Sequence, residues 1–286
     1  MSPLRKKMIR ELELQRKAPA TVHQYVRAVA DLAQYYHRSP EKISLEEVRS
    51  YLHWLLVERK LAGATCNVKI VALRFFYREV LGYKDFPLRV VCKRPRKLPE
   101  PLSRQEVRRL LEAAKDQKHR LLLMTAYGAG LRVSELVRLQ PRHIHSERML
   151  IRVDQGKGRK DRYTLLSQTL LEELRNYWRA YRPGDWLFPN GSKTGPMPVY
   201  TARGTFYRIK ARAGVKHGHG IHTLRHSFAT HLLEANIRLP VLQLLMGHAR
   251  ISTTMKYLHV TENHLSKINS PFDLLRLPNI HEDLEW

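Results

Sequence analysis

Apolar residues recur at helical spacing through most of the chain. Val22, Tyr25, Val26, Val29, Leu32 and Ala33 share one helical face, and Val48, Tyr51, Leu52, Leu55 and Leu56 share another. Each run follows a capping-box pattern, Thr21-x-x-Gln24 and Ser44-x-x-Glu47, in which a side chain at either end satisfies an orphan backbone N–H. A third helix is expected over Ala64 to Val80, with Val68, Val71, Ala72, Phe75 and Phe76 inward, and a further one over Leu4 to Leu14. This first part, residues 1–90, reads as a helical domain.

Gly82 breaks the pattern, and Pro87, Pro95, Pro99 and Pro101 follow. Proline removes backbone donors and resists helix, so 91–101 reads as an extended basic linker containing Lys93, Arg94, Arg96 and Lys97. Such a stretch either lies along a phosphate backbone or is a solvated tether. Ser103-x-x-Glu106 then opens a second domain, 102–286. Helices are expected over 103–115, 118–127, 133–139, 168–181, 201–213, 223–235, 239–246 and 252–260. Met149 to Val153 and Arg162 to Leu166 read as strands of a hairpin around the turn Gln155 to Asp161. From about 261 the tail is weakly patterned, broken by Pro271 and Pro278.

Charge narrows the choice of partner. The 286 residues carry 51 Lys+Arg against 26 Asp+Glu, a formal charge of +25, which points to a polyanion. A membrane is the weaker choice, because no stretch approaches the ~20 apolar residues of a spanning helix. Cys66 and Cys92 alone make neither a disulfide framework nor a zinc-ligand spacing, and a reducing, cytoplasmic setting fits them.

The candidate chemistry lies in the second domain. Arg132, after a glycine at an expected helix start, offers a planar fork for two phosphate oxygens, and Glu135 shares its helical face to orient it. Lys157 sits between two glycines in the hairpin turn, where it either donates a proton to a leaving oxygen or contacts a phosphate backbone; Lys160 competes for that role, and Arg159 lies between them. His222 and Arg225 lie three apart on one helix, which also carries His226 and His231. His217, His219 and His222 match no standard metal spacing and have no acidic or cysteine partner nearby. Gly247-His248 ends an apolar run, and Tyr257 follows. A free phenol is ~0.1% ionised at neutral pH, so a nucleophilic Tyr257 needs cations or a base beside it.

Together, Gly-Leu-Arg-x-Ser-Glu-Leu, the Gly-Lys-Gly turn, His-x-Leu-Arg-His, Leu-x-Gly-His and the late tyrosine resemble the tyrosine recombinases, the phage-integrase and Xer-type site-specific recombinases. The resemblance covers about 100–260. It implies a mainly α fold with a small β-sheet. A helical-bundle, SAM-like core-binding domain would precede a mixed α/β catalytic domain, the two forming a C-shaped DNA clamp. It implies catalytic roles for Arg132, Lys157, His222, Arg225, His248 and Tyr257, with Glu135 and His226 in support. Lys93, Arg94, Arg96, Lys97, Arg159 and Lys160 are candidate DNA contacts.

The same resemblance implies site-specific strand exchange through a 3′-phosphotyrosyl intermediate and a four-way junction, with no metal, ATP or other cofactor. The partners would be double-stranded DNA with paired recombination sites and a homotetramer exchanging C-terminal tails. The location would be cytoplasmic, at the nucleoid, and the task that of mobile DNA. A type IB topoisomerase-like relaxation enzyme and a DNA-binding regulator are the alternatives. A metal-dependent nuclease lacks its acidic cluster.

Overall fold

Ser44 accepts a hydrogen bond from the Glu47 N–H while the Glu47 carboxylate accepts from the Ser44 N–H, so the expected capping box starts a helix there. The computed structural model describes residues 2–93, 100–154 and 161–260, except for the side chains of 259 and 260. Arg94, Arg96, Lys97, Lys157, Arg159, Lys160 and the tail from Thr261 lie outside the described residues. The chain divides into two units, Met1–Arg96 and Lys97–Trp286.

The first unit is helical: α1 (Pro3–Leu14), α2 (Pro19–Tyr36), α3 (Leu45–Val57) and α4 (Gly63–Phe75), the last running into a π-helical turn, Phe76–Val80. Leu12, Leu32, Val48, Leu52, Leu73 and Tyr77 are among its fully buried side chains. The Tyr77 hydroxyl donates to the carbonyls of Pro40 (2.8 Å) and Ile43 (3.1 Å), and its ring stacks on Phe86 at 4.1 Å. One expectation fails here and another holds in part. α2 starts at Pro19, whose fixed φ suits the first helical turn, so Thr21 lies inside the helix and caps nothing. Along α4 and its π turn the expected Ala72 and Phe76 are buried and Phe75 packs on the core, but Cys66, Ile70 and Leu73 complete the inward face and Val71 is 45% exposed.

The second unit begins with α5 (Arg104–Glu112), started by the Ser103–Glu106 capping box. α6 (Gln117–Gly128) and α7 (Val133–Val137) follow. Three short strands, β1 (Ile144–His145), β2 (Leu150–Val153) and β3 (Arg162–Leu165), form an antiparallel sheet in sequence order. β1 was not anticipated; two residues are too few for a period. Val153 pairs with Arg162 and Ile151 with Thr164, so β2 and β3 are the two arms of the expected hairpin. Then come α8 (Gln168–Tyr181), α9 (Val199–Arg212), α10 (His222–Glu234), α11 (Leu239–Met246) and α12 (Ile251–Thr254), which continues as a 3-10 turn, Met255–Val260.

α10 is the central helix of this unit. Thr223, Leu224, Arg225, Ser227, Phe228, Ala229 and Thr230 are all buried, so polar groups lie inside, where an unpaired one is costly. Ser227 is paired twice: its hydroxyl accepts from the Leu102 N–H (2.8 Å) and donates to the Thr223 carbonyl (2.9 Å). No helix among the described residues is long and apolar enough to cross a membrane.

Candidate active site

The site is organised by the end of α11. Gly247, at φ +59°, closes the helix in a left-handed turn: its N–H reaches the Leu244 carbonyl (3.0 Å) and the His248 N–H reaches that of Gln243 (3.2 Å). The next three carbonyls, unclaimed by the helix, each receive one arginine. Arg162 Nε donates to Leu245 at 3.0 Å, an Arg225 Nη2 to Met246, and Arg132 Nη2 to Gly247 at 3.1 Å. Helix C-termini carry partial negative charge, which favours cations there. A side chain at 247 would not fit, since an added Cβ would lie 2.7 Å from the Cδ of Arg162.

Glu135 joins these arginines from the other side. Its Oε1 accepts from Arg132 Nη1 (2.7 Å) and Arg162 Nη1 (2.9 Å); its Oε2 accepts from the Arg132 backbone N–H (2.8 Å) and Arg162 Nη2 (2.7 Å). Burial alone would raise its pKa. The hydrogen bonds and charge of Arg162, then those of Arg132, outweigh burial and hold it at about 2. Arg225 stands 3.9 Å from Oε2, too far for a hydrogen bond, and its Nη1 donates instead to the Gly130 carbonyl at 2.5 Å. Burial and the charge of Arg132 lower the Arg225 pKa, opposed by Glu135, and it stays a cation at neutral pH. Three guanidiniums share one carboxylate, so the site carries surplus positive charge suited to an anion.

Tyr257 is brought to this cluster by the 3-10 turn after α12. It is 4% exposed, and its hydroxyl lies 2.9 Å from His226 Nδ1. Burial pushes the phenol above its ordinary pKa, against the pull of Arg225 and Arg132, so the phenol is protonated and needs a proton acceptor. His226 is kept neutral, its pKa lowered to about 4 by burial and then by His222 and Arg225. His248 is also lowered to about 4, by burial and then Arg225, Arg132 and Arg162. Its Nε2 lies 3.3 Å from Arg225 Nη2 and its Nδ1 2.9 Å from the Thr254 hydroxyl, and its ring lies parallel to that of Tyr257. His222 opens α10, with burial, Arg225, Arg203 and Arg132 lowering its pKa.

Seven of the predicted residues therefore converge: Arg132, Glu135, His222, Arg225, His226, His248 and Tyr257. Lys157, Arg159 and Lys160 lie outside the described residues, and so do Arg94, Arg96 and Lys97; Lys93 is described and exposed. Among the described residues, no group of three or more His, Cys, Asp or Glu side chains is arranged to hold a metal ion. Sequence reasoning missed Arg162 and Thr254. The signal for Arg162 was the strand period: it shares the inward face of β3 with buried Thr164, while Tyr163 and Leu165 point out.

The chain matches the phage integrase family over residues 100–264 and that family's N-terminal SAM-like domain over residues 4–85. A protein named integrase/recombinase in Sinorhizobium fredii is 40% identical over 280 residues, 97% of this chain and 91% of that one. The tyrosine recombinase XerA of Thermococcus kodakarensis is 35% identical over 271 residues, 92% of this chain and 93% of its own. The crystal structure of the XerH site-specific recombinase bound to palindromic difH substrate, a post-cleavage complex, superposes with a TM-score of 0.70 at 22% identity, covering 91% of this chain and 82% of that one.

Proposed function

Since this chain belongs to the phage integrase family of tyrosine recombinases, which cleave and rejoin DNA through a tyrosine nucleophile, we propose that it is a site-specific recombinase of mobile DNA with Tyr257 as the attacking residue. The observation that carries this reading is the Tyr257 hydroxyl 2.9 Å from a neutral His226, within the field of Arg225 and Arg132.

The proposed steps are these. The phenol oxygen bonds to a DNA phosphorus while its proton passes to His226. Arg132 and Arg225 hold the non-bridging oxygens and offset the charge that builds on them in the transition state. His222, at the start of α10, faces the same anion. His248, beside Arg225, adds a hydrogen bond to it. The bond to the 5′-oxygen breaks, and Lys157 supplies the proton that leaves with it, giving a 3′-phosphotyrosyl ester and a free 5′-hydroxyl. Attack by a 5′-hydroxyl of the partner duplex reverses the chemistry and returns the phenol. The ester conserves bond energy, so the cycle consumes no ATP. Exchange between paired sites through a four-way junction calls for four protomers on two duplexes, joined by their tails from about 261, and places the protein with the DNA in the cytoplasm. The basic residues Lys93, Arg94, Arg96, Lys97, Arg159 and Lys160 are the proposed backbone contacts, in keeping with the chain's charge of +25.

The test uses a nicked suicide duplex, built from DNA that the protein selects out of a random pool. The protein should become covalently attached to it in EDTA, and Tyr257→Phe should bind the duplex equally and form no adduct. An adduct trapped with Tyr257→Phe rejects the assignment.

A further inference from the structure

We infer that Arg162 is a positioning residue for the phosphate clamp: by filling half of the acceptor capacity of Glu135 and anchoring β3 to the end of α11, it keeps Arg225 from being captured by that carboxylate. The inference rests on the clamp proposed above.

A carboxylate offers about four lone-pair sites. Glu135 uses two for Arg132 and two for Arg162, two on each oxygen. Its side chain is 6% exposed, so water cannot take over a vacated site at low cost. Arg225 waits 3.9 Å away with the same charge. Its hold on the Gly130 and Met246 carbonyls, and the 3.3 Å approach to His248, persist because Glu135 is already saturated. Without Arg162, two sites open on a buried anion beside an arginine whose hydrogen bonds among the described residues go to two carbonyls and a histidine. Charge-assisted bonds are the stronger class, so Arg225 turns to Glu135 and leaves the position from which it meets a phosphate.

The arginine itself is fixed at three points. Its fork grips both oxygens of Glu135, its Nε holds the Leu245 carbonyl, and its Cδ packs where Gly247 has no Cβ. It is also the first residue of β3, directly across from Val153 of β2. The strand that follows the segment containing Lys157 is thereby tied to the carbonyls that hold Arg132 and Arg225.

A merely structural arginine and a positioning one predict different double variants. Arg162→Met should slow single-turnover adduct formation on the nicked duplex about a hundredfold, the scale of a small misplacement of a reacting group, with affinity for that duplex changed only a few-fold. Adding Glu135→Gln, which removes the charge that captures Arg225, should recover about tenfold of the loss. Titration with inorganic phosphate, followed by the guanidinium NMR signal of Arg225, should show the same loss and the same recovery without using the reaction. If Arg162→Met melts below the assay temperature, Arg162→Lys, which keeps the charge and cannot fork, is read in both assays. Unchanged rates, losses that add in the double variant, or losses that follow the folded fraction overturn the inference. A parent protein that forms no Tyr257 adduct refutes the proposed function instead, and the phosphate titration then still decides the role of Arg162.

Discussion

The hydroxyl of Tyr257 lies 2.9 Å from Nδ1 of His226, one helical turn beyond His222 on α10. Of the two histidines that flank Arg225, the second touches the nucleophile proposed here. Family resemblance put His222 in the catalytic set and His226 in support; the 2.9 Å contact is why His226 is the proton acceptor in the function proposed here.

His226→Ala should therefore slow the first turnover of adduct formation by about a hundredfold, the usual weight of a placed general base, while duplex affinity is unchanged. Quench-flow measurement on the nicked duplex checks this. A first-turnover rate equal to the parent's would remove His226 from the proton path.

Stability should fall as pH falls from about 6.5 to about 4. His226 and His248 titrate near 4 in the folded chain and near 6.5 when unfolded, so the unfolded chain binds more protons across that window. Each contributes at most about 1.4 kcal/mol per pH unit, less where solvent screens the ring. His119, His143, His222 and His231 act in the same direction. Glu135, held at about 2 and ordinarily near 4.5, adds its own loss from about pH 4.5 downward, overlapping only the lower end of that window. Denaturant titrations from pH 7.5 to 4.5 should give a shallower slope for His226→Gln and for His248→Gln than for the parent. Equal slopes would show that these rings are charged in the fold.

Gly130→Ala should destabilise the second unit by about 2–4 kcal/mol. Gly130 has φ +59°, which disfavours a side chain, and a Cβ there would lie 2.3 Å from Cδ1 of Phe228. Its carbonyl also holds Arg225, so cleavage should fall further than the folded fraction does. Gly191→Ala, in open space, should stay within about 0.5 kcal/mol of the parent in the same thermal melts.

Local signals were the legible part of the fold. The Ser44 and Ser103 capping boxes and the bounds of α8 and α11 are set by residues three or four apart, which sequence displays. On α4 and the turn after it the expected Ala72 and Phe76 are buried, but Val71, which keeps the same helical period, is exposed, and only packing decides where the inward face ends. In the site, the Arg132–Glu135 pair was visible as an i, i+3 spacing. The fork from Arg162 to Glu135 was not: it spans 27 positions and depends on a hairpin folding back. Its one local trace, an arginine on the inward face of a strand, was masked by the apolar look of Tyr163 and Leu165, both of which are exposed.

The row of carbonyls at Leu245, Met246 and Gly247 has a genetic consequence. What the three arginines grip there is peptide backbone, so their spacing counts residues rather than reading side chains. A substitution at Leu245 leaves that ruler intact. Deleting one residue at the end of α11 moves every mark on it, and Arg132, Arg162 and Arg225 lose their places together. The segment from Leu245 to His248 should therefore accept a substitution at Leu245 more readily than any change of its length.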